Sequence, residues 1–234
     1  MTSNNEKSYR IKLGNPILTV DDVNLDRGGT RLLHGIKAKI RHGSITLVLG
    51  HNGAGKTLLM YVLHGLVDFD SGNVSGPPPD RQKMVFQKPV MLRRTARQHL
   101  TFLCPKVPWD ELYQWVKRAG LESCIDLPAR ALSGGEQQKL SLIGALAANP
   151  EILFLDEPTS HLDFESTKFL EEMITEAHSR DMTIVMTSHN LAQAQRLAED
   201  ILLLHEGQLV EDAPADQFFN APSNPLAKQY LNHL

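Results

Sequence analysis

Gly50-His51-Asn52-Gly53-Ala54-Gly55-Lys56-Thr57 fits the pattern G-x-x-x-x-G-K-[ST]. Just before it, Ile45-Thr46-Leu47-Val48-Leu49 is a short, mostly apolar run that suits a buried parallel strand. After it, Leu58, Leu59, Val62 and Leu63 share one face of a helical pattern over residues 56–65. Strand, glycine loop and helix are the context the pattern needs. The glycines let the backbone curl so that several N–H groups point at phosphate oxygens. The helix N-terminus adds the positive end of its dipole. Lys56 brings a mobile charge to the β- and γ-phosphates, and the Thr57 hydroxyl can take a Mg²⁺ coordination position. The expected nucleotide contacts are Gly50, His51, Asn52, Gly53, Ala54, Gly55, Lys56, Thr57 and Leu58, with His51 a loop residue and not a metal ligand.

The segments downstream alternate. Strands are expected at 84–86, 152–155, 183–186 and 201–204, and helices at 136–148, 166–179 and 191–198. Glu206-Gly207 makes a hairpin turn into 208–210. Strands alternating with helices predict an α/β fold with a mainly parallel sheet. Upstream, residues 17–20 and 36–40 read as strands around the turn Asp26-Arg27-Gly28-Gly29, an N-terminal antiparallel part. Residues 71–80, with Gly72, Gly76 and Pro77-Pro78-Pro79, read as a loop. Residues 95–124 carry helical patterning broken by Pro105 and Pro108, and no strand signal. Within them, 109–119 forms a helix with Leu112, Trp115 and Val116 as its apolar stripe. A helical subdomain inserted at about 88–135 in a single domain spanning 1–234 is the expected organisation.

The acidic strand end is the second constellation. Residues 152–155 deliver Asp156 and Glu157 to a carboxyl edge, where ligands of open α/β sheets bind. Asp156 can hold Mg²⁺ through water and Glu157 can polarise an attacking water. A plain helix-capping pair is the other reading, and it leaves the coincidence with the phosphate loop unexplained.

Composition narrows the partners. The chain has 234 residues, with 24 Lys and Arg against 27 Asp and Glu, for a formal charge of −3. That balance argues against a general nucleic-acid binder. Cys104 and Cys124 are too few for a disulfide framework and are expected to be reduced thiols. The polar start, residues 1–8, lacks the apolar core of a signal peptide. No run approaches the 18–20 apolar residues that cross a bilayer, so any membrane role acts through a partner. His34, His42, His64, His99, His178, His205 and His233 show no metal-ligand spacing and read as surface or packing residues.

Three further stretches, with Gln87, resemble the ATP-binding cassette (ABC) ATPases. Leu132-Ser133-Gly134-Gly135-Glu136-Gln137-Gln138 matches their signature motif. Asp156-Glu157-Pro158-Thr159-Ser160 with His161-Leu162-Asp163 is similar to their acidic strand and following loop. Ser188-His189 resembles their switch histidine, and Gln87 their glutamine after a strand. The motifs stand in the family's order over nearly the whole chain. The resemblance implies ATP hydrolysis with Mg²⁺ bound through Thr57, Gln87 and Asp156, and with Glu157, His189 and Lys56 as catalytic residues. It implies that Ser133, Gly134, Gly135 and Gln137 close on the γ-phosphate of a second copy, giving a homodimer with two shared ATP sites. On local sequence alone, Ser133 reads better as a helix cap with Glu136 in the first turn; for His189 a plain strand-end residue is the alternative, weakened by its position at the carboxyl edge.

The chain departs from the family in places. The aromatic residue that stacks on adenine corresponds to Arg27, whose guanidinium plane can stack instead. Leu58 stands where many relatives carry a second hydroxyl, and His161 replaces a small residue. The segment Lys88-Pro89-Val90-Met91-Leu92-Arg93-Arg94 matches the region that receives a helix of the membrane subunit. Met91 and Leu92 would pack there and Arg93 and Arg94 would meet acidic groups; a solvated loop is the alternative. The implied place is the cytoplasmic face of the plasma membrane, peripherally on integral permease subunits, with an extracytoplasmic solute-binding protein as an indirect partner. The phosphate-loop, His64-Gly65-Leu66 and 86–94 segments together look like tungstate-type oxyanion importers. Importers of another small polar solute, or a lipid or lipoprotein exporter, are the alternatives. The chain is expected to lack the extra C-terminal regulatory domain of some relatives.

Overall fold

The computed structural model describes residues 15–232; the N-terminal reading of residues 1–8 and that of His233 lie outside the described residues. β1 (Pro16–Arg27) and β2 (Thr30–Arg41) pair antiparallel around a turn with Gly28 at φ 58° and Gly29 at φ 79°. Both strands run well past the stretches expected from sequence. Shifts of register between Val20 and Asp26 interrupt the two-residue alternation that would have revealed their length.

A second sheet has the order β5-β6-β7-β3-β8-β9. Its strands are β3 (Ile45–Leu49), β5 (Gln82–Val85), β6 (Ile152–Leu155), β7 (Thr183–Thr187), β8 (Asp200–His205) and β9 (Gln208–Pro214). All neighbours are parallel except β8 and β9. β4 (Ser71–Ser75) joins the first sheet beside β1, where the sequence reads as a loop. Val74 is its single apolar residue and most of it is exposed, so it carries no hydrophobic pattern.

β3, β6 and β7 are buried along their whole length, which explains why β6 is apolar throughout and β3 and β7 nearly so. On β6, Ile152 and Phe154 join one core with β1, β2 and α1 (Lys56–His64). Leu153 and Leu155 join the other, with α4 (Gly134–Ala147) and α5 (Phe164–Ser179). Phe154 is wholly buried; removal of a side chain like this from water is worth about 1.5–3 kcal/mol.

The helical stretch resolves into α2 (Ala96–Leu103) and α3 (Trp109–Arg118). The break between them holds Pro105 and Pro108, neither of which suits a helix interior. Thr95 and Gln98 form a capping box that starts α2. Leu100, Leu112, Val116, Leu121 and Ile125 form a core of their own. α4 bridges to the sheet, with Leu140 and Ile143 in the helical core and Leu142 and Leu146 in the sheet core. After α6 (Leu191–Leu197), two short helices, α7 (Ala215–Asn220) and α8 (Pro225–Asn232), close the described chain. They bury Phe218, Ala227 and Tyr230 in the sheet core.

Candidate active site

The strand order puts the carboxyl ends of β5, β6, β7 and β3 side by side, so the residues just after each strand converge. They face a cleft of about 1170 Å³ lined by the glycine loop, Lys56, Thr57, Leu58, Gln87, Glu157 and His189. Of the expected loop contacts, Ala54 is turned inward and buried and does not line it.

The loop's shape follows from its glycines. Gly50, Gly53 and Gly55 have φ of 148°, 82° and 101°, which side-chain-bearing residues avoid. A Cβ on Gly50 would drive into the carbonyl oxygen of Leu204. α1 begins with no capping side chain and no acidic residue in its first turn, so its N–H groups remain for an anion. Lys56 Nζ donates to Gly50 O at 2.8 Å and His51 O at 3.1 Å and lies 4.0 Å from Glu157 Oε1. Burial lowers its pKa, and the charges of Glu157 and Asp156 oppose that shift.

Asp156 sits beneath the cleft, 1% exposed. Its Oδ1 accepts from Thr57 Oγ1 at 3.1 Å and from Thr187 Oγ1 at 2.8 Å. Burial raises its pKa against these two hydrogen bonds. Glu157 donates its N–H to Thr187 Oγ1 at 2.7 Å and holds φ at 43°. A left-handed backbone there costs on the order of 1 kcal/mol, and strain of this kind gathers at functional sites. Glu157 Oε2 accepts from Gln87 Nε2 at 3.0 Å and lies 3.3 Å from His189 Nδ1. One carboxylate thus collects the ends of three strands, β5, β6 and β7.

The other expected residues lie elsewhere. Arg27 does not line the cleft: it donates to Asp68 O at 3.0 Å and stands 3.9 Å from Asp70 Oδ2. Leu32 of β2 lines it instead. Ser133, Gly134, Gly135 and Gln137 are also outside it. Ser133 and Glu136 form a capping box at an exposed helix tip, in which Glu136 Oε2 accepts from Ser133 N at 2.7 Å and Ser133 Oγ at 2.8 Å. Gln137 Nε2 donates to Leu132 O at 2.8 Å. Met91, expected to pack in the groove after Gln87, is buried in the helical core. Its apolar chain finds a filled interior there, and Phe86, Pro89, Val90, Leu92 and Leu103 line a groove of about 350 Å³ in its place.

Thr187, Tyr61 and Tyr230 were missed in the sequence. Thr187 was legible only as a polar residue ending an apolar strand. Tyr61 and Tyr230 line the cleft, the latter edge-on to His51 with ring centroids 5.1 Å apart. No sequence signal marks Tyr230, which arrives from the last described helix.

Residues 33–160 match the sequence profile described as ABC transporter. The chain belongs to the ABC transporter family. It has that family's P-loop ATPase fold and is an ATP-binding, ATP-hydrolysing subunit whose hydrolysis is coupled to transport. This ABC ATPase is 33% identical to "Phosphate import ATP-binding protein PstB" of Pyrobaculum aerophilum, over 92% of its own length and 97% of that protein's. It is 34% identical to "Putative ABC transporter ATP-binding protein YjkB" of Bacillus subtilis, over 86% of each. Among solved structures, cbiO1 of Clostridium perfringens, part of the transporter complex cbiONQ, matches with a TM-score of 0.76 and 26% identity, over 88% of this chain and 92% of that one. None of these names carries tungstate, so the similarity supports the transporter ATPase and not the tungstate subgroup expected from sequence. Among the described residues no helix is long and apolar enough to cross a membrane.

Proposed function

We propose that this chain is the ATPase subunit of an importer for an inorganic oxyanion, acting as two copies on the cytoplasmic face of integral membrane subunits. The observation that carries the catalytic part is the Glu157 carboxylate, with Gln87, His189 and Lys56 around it. In this reading the loop N–H groups and Lys56 hold the β- and γ-phosphates. Glu157 orients a water and takes its proton, and His189 stabilises charge at the γ-phosphate. Thr57, Asp156 and Gln87 offer a hydroxyl, a carboxylate and an amide, the oxygen donors that suit Mg²⁺. These three would hold the ion, whose chemistry when bound is to neutralise charge on the phosphate oxygens.

Dimerisation is supported by the exposed Ser133–Gly134 tip, where a Cβ on Gly134 would meet nothing within 4 Å. The tip lies outside its own chain's cleft and is open to the phosphate of another copy. In the same reading the groove beside Val90 and Leu103 receives a helix of the membrane subunit, and a solute-binding protein delivers the cargo. Import of an oxyanion is supported by relatives named for phosphate import. Within that class the sequence suggests tungstate. Uptake of labelled tungstate, molybdate and phosphate, with and without the gene, decides among them. Loss of none of the three overturns the oxyanion reading.

A further inference from the structure

Gln193 is 2% exposed and both polar atoms of its side chain are engaged. Its Oε1 accepts from the Ser188 hydroxyl at 2.8 Å. Its Nε2 donates to Thr159 Oγ1 at 2.9 Å and to Glu171 Oε1 at 2.9 Å. Its main-chain N–H donates to Asn190 Oδ1 at 3.0 Å. The Ser188 hydroxyl accepts in turn from the Asn190 N–H at 3.0 Å. A carboxylate can only accept, so Glu171 fixes which way the amide faces and leaves Oε1 to Ser188.

Ser188 and Asn190 are the two neighbours of His189, so one buried residue grips both flanks of that histidine. Thr159 lies on the turn that leaves Glu157, and Arg196 holds Glu171 from outside at 2.8 and 3.1 Å. The His189 side chain is 59% exposed and lies 3.3 Å from Glu157 Oε2. Packing therefore does little to place the ring, and its position is set by the turn beneath it.

We propose that Gln193 is a positioning residue: it clamps the turn bearing His189 to the loop leaving Glu157, and so keeps the imidazole at the carboxylate. This rests on the roles given to His189 and Glu157 above. Only a neutral amide offers one acceptor to Ser188 and two donors to Thr159 and Glu171. A carboxylate in its place would oppose Glu171 and lose both donors. Displacement of a catalytic group by about 1 Å can cost about a hundredfold in rate.

The test uses the full chain, steady-state ATP hydrolysis and ATP affinity by calorimetry, after a thermal melt of each variant. Gln193→Glu is expected to lower kcat by about tenfold or more, with ATP affinity within about threefold. Adding Glu171→Gln is expected to restore kcat to within about threefold of wild type. The new amide at 171 donates to the carboxylate at 193, and the Ser188 and Thr159 hydroxyls can both donate to it. Gln193→Met, which removes the bonds without adding charge, should show the same split between kcat and affinity. Wild-type turnover in folded Gln193→Glu, loss of affinity in step with kcat, or a double variant no better than the single one would overturn the clamp. His189→Ala, measured alongside, separates the premises. If it hydrolyses ATP normally, the role of His189 fails; if it is inactive while Gln193→Glu is not, only the clamp fails.

Discussion

Glu157→Gln replaces one carboxylate oxygen by an amide nitrogen and leaves the side chain's shape unchanged. In the wild type Oε2 accepts from Gln87 and faces His189, while Oε1 lies 4.0 Å from Lys56. The amide keeps one acceptor and loses the charge and the basicity. The main-chain bond to Thr187 and the φ of 43° do not involve the side chain, so the strand end should hold. In the proposed reading the loop N–H groups and Lys56 meet the phosphates, so ATP affinity should stay within about threefold. A lost general base costs about 10²–10⁴-fold, which at 1.36 kcal/mol per decade raises the barrier by about 3–5 kcal/mol. Phosphate release at saturating ATP, with calorimetry for binding, measures both quantities. Turnover within about threefold of wild type would remove Glu157 from the chemistry, whatever the affinity.

Three other outcomes are expected. Lys56→Ala should weaken ATP binding by at least about tenfold, the range for a hydrogen bond to a charged group; unchanged affinity in calorimetry contradicts its placement. Gly50→Ala should lower Tm by several degrees and impair ATP binding, because the added Cβ strikes the Leu204 carbonyl at a disfavoured φ. Overpacking of this kind costs about 1–3 kcal/mol, and an unchanged melt would show that the loop yields. Burial and then the charge of Asp200 push the Asp212 carboxyl up to about 6. The folded state therefore holds this proton more tightly than the unfolded one, and stability falls as pH rises from about 4 through 6. Neighbouring protein desolvates the carboxyl, yet much of residue 212 still faces water, so solvent screening limits the effect to under about 1 kcal/mol. Asp212→Asn should raise Tm slightly at pH 7.5 and not at pH 4; equal melts at pH 7.5 refute it.

The phosphate loop, the acidic strand end and the parallel strands were legible because each is local. A strand buried on both faces is largely apolar, and the glycines stand where the loop demands positive φ. β4 was not legible because it is an exposed edge strand with one apolar residue, held by its pairing with β1. The two C-terminal helices were missed because they are short and owe their place to Phe218, Ala227 and Tyr230 packing on the sheet. At the site, Arg27 was placed only by the family resemblance, and the carbonyl of Asp68 with the carboxylate of Asp70 gives its guanidinium another partner. Gln193 did leave a trace: Asn190 followed three residues later by Gln is a helix-start pattern. What the pattern could not tell is that the amide also reaches Ser188, Thr159 and Glu171, which meet only in the folded chain.

The most direct single measurement is a structure of Glu157→Gln with Mg·ATP. The triphosphate should lie along residues 50–57 with its terminal phosphate beside Lys56, capped by the Ser133 tip of a second copy. A nucleotide bound elsewhere, or one in this cleft with no second copy over it, would contradict the proposed paired motor.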